Sequence, residues 1–290
     1  MSRVGVDLGG SFIKVGRVEQ GRVVRRAEGG TRHDFARCMD DVAALVSEVA
    51  PQGFDAPLGL GLPGVIERSG QSVLDAPNLP FLERQPVADA LAQRLGVAVQ
   101  IENDANVAAL GEARHGAGRG HPDFLLATLG TGIGGGLILD GKLYRGPGGM
   151  AGEFGHLFVG HERRCGCGAR GCLEAAVSAR HLLQWAQEEG IRADGLQDLA
   201  GLARRNDKAA LSLFRRAGAL LGEACAAVAL LLDLRVFLLG GGGSPVTDLL
   251  APSALQVLGT RAFGRAAADF RILPAALGND AGIIGAAELA

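Results

Sequence analysis

Three cysteines fall within eight residues at Cys165-Gly-Cys167-Gly-Ala-Arg-Gly-Cys172, and His156 lies nine residues upstream. Three thiolates and one imidazole make a closed tetrahedral set for Zn²⁺. A closed set leaves no coordination position for water, so such an ion would shape a loop rather than perform chemistry. Structural zinc of this kind contributes on the order of 10 kcal/mol to folding. His161 is the competing imidazole, and a disulfide is the competing pairing, disfavoured in a reducing compartment. Cys38 and Cys225 stand alone in helical patterns and read as small core residues.

Asp7-Leu-Gly9-Gly10-Ser11 sets an acid at a strand end, then two glycines, then a hydroxyl. The amides of such a turn can wrap a phosphate, Ser11 can bond an oxygen, Asp7 can hold a Mg²⁺ water and Lys14 can add positive charge. The plain alternative is a hairpin turn. Gly130-Thr131-Gly132 repeats the arrangement, and two facing turns can clamp one triphosphate. Further glycines at strand ends, Gly240-Gly241-Gly242 among them, point to a large anionic ligand held from more than one side. Two familiar patterns are decoys. Residues 130–135 fit G-x-G-x-x-G, but a strand-like run follows where a dinucleotide motif needs a helix. Residues 136–143 nearly fit a P-loop, but Leu143 has no hydroxyl for a metal.

Glu102-Asn103-Asp104-Ala-Asn106 follows an apolar run and stands at a strand end where a helix begins. One Asp or Asn there is usually a cap. Four polar side chains exceed what a cap requires, and a carboxylate within reach of a sugar hydroxyl can take its proton during phosphoryl transfer. Glu153 and Glu174 flank the cysteine loop, near His156. Carboxylates, Asn and His are the donors and acceptors that a ring of hydroxyls needs, and Asn78 is a further ligand of this type.

The elements that position these residues alternate between strand and helix. Arg3–Leu8, Phe12–Glu19 and Arg22–Ala27 read as a β-meander, and Phe124–Leu129, Ile133–Leu139 and Lys142–Tyr144 repeat it about 120 residues later. Helices are predicted around Val42–Val49, over Pro86–Leu95, from Ser178 to Gly190 and over Ala209–Leu232, with a last one starting near Ala281. Val236–Leu239 reads as a buried strand. The pattern means a layered α/β architecture. The expected division is a small lobe of residues 1–110 and a large lobe of 111–278, with the break near Asn106 to Gly120.

The totals exclude other classes. The chain has 290 residues, 48% of them hydrophobic, ample for two cores. A net charge of -2 gives no basic excess for nucleic acid, and one Trp with one Tyr gives no stacking platform. The longest unbroken apolar run, Ala224 to Leu232, falls short of the roughly 20 residues of a membrane span, and no targeting signal is read at the front. The expectation is a cytoplasmic protein with no membrane or nucleic-acid partner.

Taken in order, Asp7-Leu-Gly-Gly-Ser11, Leu62-Pro63-Gly64-Val65, Ala76-Pro77-Asn78-Leu79, Glu102-Asn-Asp104-Ala-Asn106, Leu129-Gly-Thr-Gly-Ile-Gly-Gly-Gly136, Glu153-Phe-Gly-His156, the 165–174 loop and Leu239-Gly-Gly-Gly242 resemble the ROK family of repressors and sugar kinases. The resemblance runs from Val4 to Ala281-Gly-Ile-Ile-Gly-Ala286. It implies an actin-like ATPase fold, duplicated from a ribonuclease H-like unit, with two lobes and an interlobe cleft. It implies Asp104 as general base, and Gly64, Asn78, Asn103, Glu153, His156 and Glu174 as sugar ligands, with His156 also serving zinc. The turns at 9–11, 130–132 and 240–242 would hold ATP with Mg²⁺. It also implies that the C-terminal helix of about 279–290 packs back on the first lobe, and homodimers are common in the family.

Ser11 departs from the family's usual threonine but keeps the hydroxyl. Pro80-Phe81-Leu82 stands where many of its glucokinases look like Gly-Trp, whereas Glu153 favours glucose. The expected activity is ATP-dependent phosphorylation of glucose to glucose 6-phosphate. The alternatives are an N-acetylglucosamine, N-acetylmannosamine or fructose kinase. A sugar-sensing regulator is the remote one, because Val4 already begins the first phosphate strand and leaves no room for a helix-turn-helix module.

Overall fold

The computed structural model describes residues 2–54, 56–67 and 69–289. Strand β1 (Arg3–Leu8) buries Val4, Val6 and Leu8 and pairs antiparallel with β2 (Phe12–Glu19), so that Asp7 faces Lys14 across the ladder. Strand β3 (Arg22–Gly30) completes the first meander. Helix α1 (Phe35–Val49) starts where the Asp34 carboxylate accepts from the Arg37 amide, and it buries Cys38, Met39, Val42, Val46 and Val49 at helical spacing. Strand β4 (Leu58–Leu62), the short hairpin β5 (Val65–Ile66) and β6 (Val73–Asp75), helix α2 (Val87–Leu95), strand β7 (Val99–Asn103) and helix α3 (Asp104–His115) follow. The sheet order is β3-β2-β1-β4-β7, with β1, β4 and β7 parallel.

Strand β4 is Leu-Gly-Leu-Gly-Leu, fully buried between β1 and β7, and it has no counterpart in the sequence reading. Its glycines are there for close approach. A Cβ on Gly59 would stand 1.7 Å from the Ala286 carbonyl oxygen, and one on Gly61 would stand 2.5 Å from a Val107 methyl. Only a bare backbone lets helices lie this near the sheet.

The second meander is β8 (Phe124–Leu129), β9 (Ile133–Leu139) and β10 (Lys142–Tyr144), the bounds read from the sequence. Short α4 (Glu174–Val177), α5 (Ala179–Glu188) with Ser178 as its cap, α6 (Leu196–Arg204) and the 25-residue α7 (Lys208–Leu232) come next. Strand β11 (Val236–Gly241), helix α8 (Thr247–Arg261), strand β12 (Arg271–Pro274) and helix α9 (Ala281–Ala287) close the chain. The second sheet runs β10-β9-β8-β11-β12, with β8, β11 and β12 parallel. Helix α7 buries Leu213, Phe214, Leu221 and Cys225, as its apolar sequence suggests, yet leaves Leu230, Leu231 and Leu232 exposed at its end. No described helix is long and apolar enough to cross a membrane.

The chain divides into two compact units. One comprises residues 1–122, 136–152 and 279–290, and the other 123–135 and 153–278. In the first, α9 lies on β1, β2 and β4 and is tied by Arg3 and His115 to Glu288 and by Arg26 to Asp280.

Candidate active site

In the first unit the β1–β2 turn carries Gly9, Gly10 and Ser11. The Gly9 amide is spent on the Phe12 carbonyl at 2.9 Å, which closes the hairpin. The turn's carbonyls are also taken: Thr31 Oγ1 donates to Gly9 O at 2.7 Å, the Thr31 amide donates to Ser11 O at 3.0 Å, and His33 Nε2 stands 3.1 Å from Gly10 O. Occupying the carbonyls behind the turn favours an amide face for an anion. The sequence analysis gave no role to Thr31 or His33. His33 is exposed, but its ring packs tilted against Phe81 with centroids 5.4 Å apart, and it backs the turn. Only the pairing of β3 against β2 brings these residues there.

Burial pushes the Asp7 carboxyl above the usual carboxylate range, against the opposing charge of Lys14. A buried carboxylate beside a phosphate turn suits a cation, whose charge would reverse that shift. The fit is close-walled: a Cβ on Gly282 would stand 2.9 Å from Asp7 Cγ.

At the end of β7 the helix cap and the first helical carboxylate are different residues. Asn103 is the cap of α3, its Oδ1 accepting from the Ala105 and Asn106 amides at 2.9 and 3.1 Å, and its Nδ2 donates to Gly64 O at 3.0 Å. Asn103 therefore offers a sugar at most its remaining amide proton. Asp104 opens the helix and accepts from the Ala105 amide through Oδ1 at 2.8 Å. Gly64 has φ 121, and a Cβ there would meet the Asp75 carbonyl at 2.3 Å, so only glycine presents this carbonyl to Asn103. Asn78 is exposed, with its carbonyl 3.8 Å from the Cβ position of Gly10. Glu102, by contrast, is 5% exposed and is spent on Asn103, Asn106 and Arg145.

In the second unit His156, Cys165, Cys167 and Cys172 present four ligand atoms within 4.8 Å of one another. Cys167 Sγ lies 3.7 Å from Cys172 Sγ, and Cys165 Sγ lies 3.7 Å from His156 Nδ1. A tetrahedron with Zn–S bonds of about 2.3 Å has edges of about 3.8 Å, whereas a disulfide closes to about 2.05 Å. The donor set fits zinc. Burial pushes Cys165 up to about 12 and raises Cys172, while the Ala169 amide, foremost among several hydrogen bonds, lowers Cys167. His161 stands outside the set: its Nε2 faces the Cys172 carbonyl at 3.0 Å and its Nδ1 accepts from the Arg163 amide at 3.1 Å.

His156 is two-sided. With Nδ1 toward Cys165, its Nε2 faces Glu153 Oε2 at 3.8 Å. Glu174 is two-sided as well: Oε1 lies 3.4 Å from Cys165 Sγ, and Oε2 accepts from the Ile133 amide at 2.9 Å. One carboxylate thus joins the cysteine loop to the end of the Gly130-Thr131-Gly132 turn. The loop is also clamped from outside, where Arg163 and Arg216 stack on Trp185 at 4.8 and 4.7 Å and pair with Glu188 and Glu189.

The remaining glycine clusters lie side by side. Parallel pairing of β11 with β8 sets Gly240 opposite Thr128 and Gly241 opposite Leu129, so Gly240, Gly241 and Gly242 end beside Gly130, Thr131 and Gly132. The Ala179 amide, which begins α5, donates to Gly130 O at 2.9 Å. A cavity of about 1110 Å³ starts at Thr131 and is lined by Arg180, Gln184, Gln187, Ile191 and Arg192. Nothing in the sequence pointed to these residues, since they are scattered over a helix face and a loop. The decoy at 130–135 is likewise resolved, because β9 is a strand.

The sequence profile of the ROK family matches residues 3–290. A glucokinase of Streptomyces coelicolor is 34% identical, with 99% of this chain and 96% of that protein covered. An N-acetyl-D-glucosamine kinase of Pectobacterium atrosepticum is 32% identical, with 98% and 97% covered. Among solved structures, a ROK family glucokinase from Streptomyces griseus, in complex with glucose and AMPPNP, superposes with TM-score 0.85 at 35% identity, covering 100% of this chain and 99% of that one.

Proposed function

The chain belongs to the ROK family, and on that premise we propose that it phosphorylates glucose at the 6-hydroxyl with ATP. It is an ATP-dependent sugar kinase with the actin-like ATPase fold. The observation that carries the mechanism is the division of labour at α3: Asn103 does the capping, so the Asp104 carboxylate is not needed for it.

In this reading Asp104 accepts the hydroxyl proton as the oxygen attacks the γ-phosphorus, and the phosphoryl group leaves ADP. Gly64, Asn78, Asn103, Glu153, His156 and Glu174 hold the sugar. Gly9, Gly10, Ser11 and Lys14 bind phosphate in one unit. Gly130, Thr131, Gly132, Gly240, Gly241 and Gly242 bind it in the other, and the cavity beside Thr131 takes the nucleoside. Asp7 would hold the water shell of Mg²⁺, which when bound would neutralise charge on the phosphates. His156, Cys165, Cys167 and Cys172 would hold a structural Zn²⁺ with no chemical step, and His156 Nε2 faces Glu153 on the side away from Cys165.

Glucose is favoured by Glu153 and by the glucokinase relatives. The N-acetylglucosamine kinase likeness supports an N-acetylhexosamine as the second reading. A coupled ADP-release assay over glucose, mannose, fructose, N-acetylglucosamine and N-acetylmannosamine separates them. The highest kcat/KM is expected for glucose, and a preference of about tenfold or more for an N-acetylated sugar overturns the first reading. The proposal includes a cytoplasmic homodimer, to be checked by light scattering.

A further inference from the structure

Resting on the assignment of Asp104 as base, we propose that Glu102 and Arg145 are positioning residues that hold the first turn of α3 in register for proton transfer. Glu102 is 5% exposed, and its oxygens divide the work. Oε1 accepts from the Asn103 amide at 2.9 Å and from Asn106 Nδ2 at 3.0 Å. Oε2 accepts from Arg145 Nε. Asn103 in turn caps the helix and grips Gly64. One carboxylate therefore fixes the residues on either side of Asp104.

Asn106 shows how strongly Glu102 dictates this arrangement. Its side chain is 2% exposed and its Oδ1 has no hydrogen-bond partner among the described residues. Turning the amide over would set Oδ1 against the Glu102 carboxylate, which is worse than leaving it unpaired. Without Arg145, Glu102 would be a buried charge lacking its counterion, a state that rearranges rather than persists. Arg145 is itself set by a tight loop. The Ala151 amide donates to its carbonyl at 3.1 Å, and Gly146 and Gly149 take φ 72 and 77. That loop leads directly into Glu153.

The pair is reachable from solvent. Glu102 and Arg145 wall a cavity of about 690 Å³, together with Glu67, Gln100 and Tyr144. This permits chemical rescue. Arg145→Ala is expected to lower kcat about 10²-fold at saturating ATP and sugar, the scale of a small misplacement, with the sugar KM little changed. Millimolar guanidinium, far below denaturing levels, should restore most of it. Arg145→Met, which keeps the stem, should behave alike. Adding Glu102→Gln to it should recover turnover by removing the unpaired charge.

A kcat within about twofold of the parent, or a loss confined to melting temperature with kcat intact below it, overturns the proposal. Asp104→Asn runs alongside: if that variant keeps full turnover, the base assignment itself is what fails. Amide hydrogen exchange at Asn103, Ala105 and Asn106 then decides positioning without activity. Faster exchange in Arg145→Met supports it, and unchanged exchange refutes it.

Discussion

Replacing Asp104 by Asn separates catalysis from folding more cleanly than any other change in this chain. Asparagine is nearly isosteric, and its Oδ1 can keep the 2.8 Å bond from the Ala105 amide. The cap on Asn103 is untouched, and the lost charge at a helix N-terminus costs about 0.3–1 kcal/mol. The neutral amide cannot take a proton. Removing a general base costs about 10²- to 10⁴-fold, or about 2.7–5.5 kcal/mol of transition-state stabilisation. The two effects differ several-fold and can be read on one preparation. Steady-state ADP release should show kcat down at least about 100-fold with the sugar KM little changed, while urea denaturation shows a midpoint close to the parent. Asn103→Ala should do the converse in part, losing about 1 kcal/mol of stability with the cap. Turnover of Asp104→Asn within about tenfold of the parent would refute the reasoning and place the proton acceptor elsewhere.

Gly59→Ala should destabilise by at least about 3 kcal/mol, because the methyl would stand 1.7 Å from the Ala286 carbonyl and must push α9 off the sheet; a denaturation midpoint like the parent's would contradict that packing. Asp7→Asn should stabilise the nucleotide-free protein at neutral pH while abolishing ATP use. Burial raises the folded carboxyl above its ordinary value, so the folded state binds more protons through that window and parent stability falls as pH rises across it. The variant's advantage should be absent below about pH 3.8 and complete above the raised value; a parallel pair of stability–pH curves would reject this. Elemental analysis should find near one zinc per chain, and chelation or Cys172→Ser should melt the 156–174 region with loss of activity. A metal-free protein that is folded and active would end the zinc assignment.

The strands and turns proposed to bind phosphate were legible because each is local. The bounds of β8, β9 and β10, the glycines that follow β1 and β8, and the cysteine spacing are all written within a few residues. Strand β4 was not, since its alternating glycines look unlike a strand until α9 and α3 supply the reason for them. The same holds for Thr31 and His33 behind the first turn, for Arg145 on Glu102 and for the cavity beside Thr131. Each joins residues from distant parts of the chain, and no short window contains both partners. Asn103 and Asp104 were both legible as cap candidates, but only the hydrogen bonds show that Asn103 is the cap.

Because Trp185 is the chain's one tryptophan and packs against two guanidinium groups, one of them Arg163 just before Cys165, emission excited at wavelengths that tyrosine does not absorb comes from a single, unlabelled place. Any loosening of the cysteine loop, by metal loss or by oxidation of a thiol, would release Arg163 from the indole face and change both intensity and colour. The molecule carries its own optical gauge for the integrity of the region that orients His156.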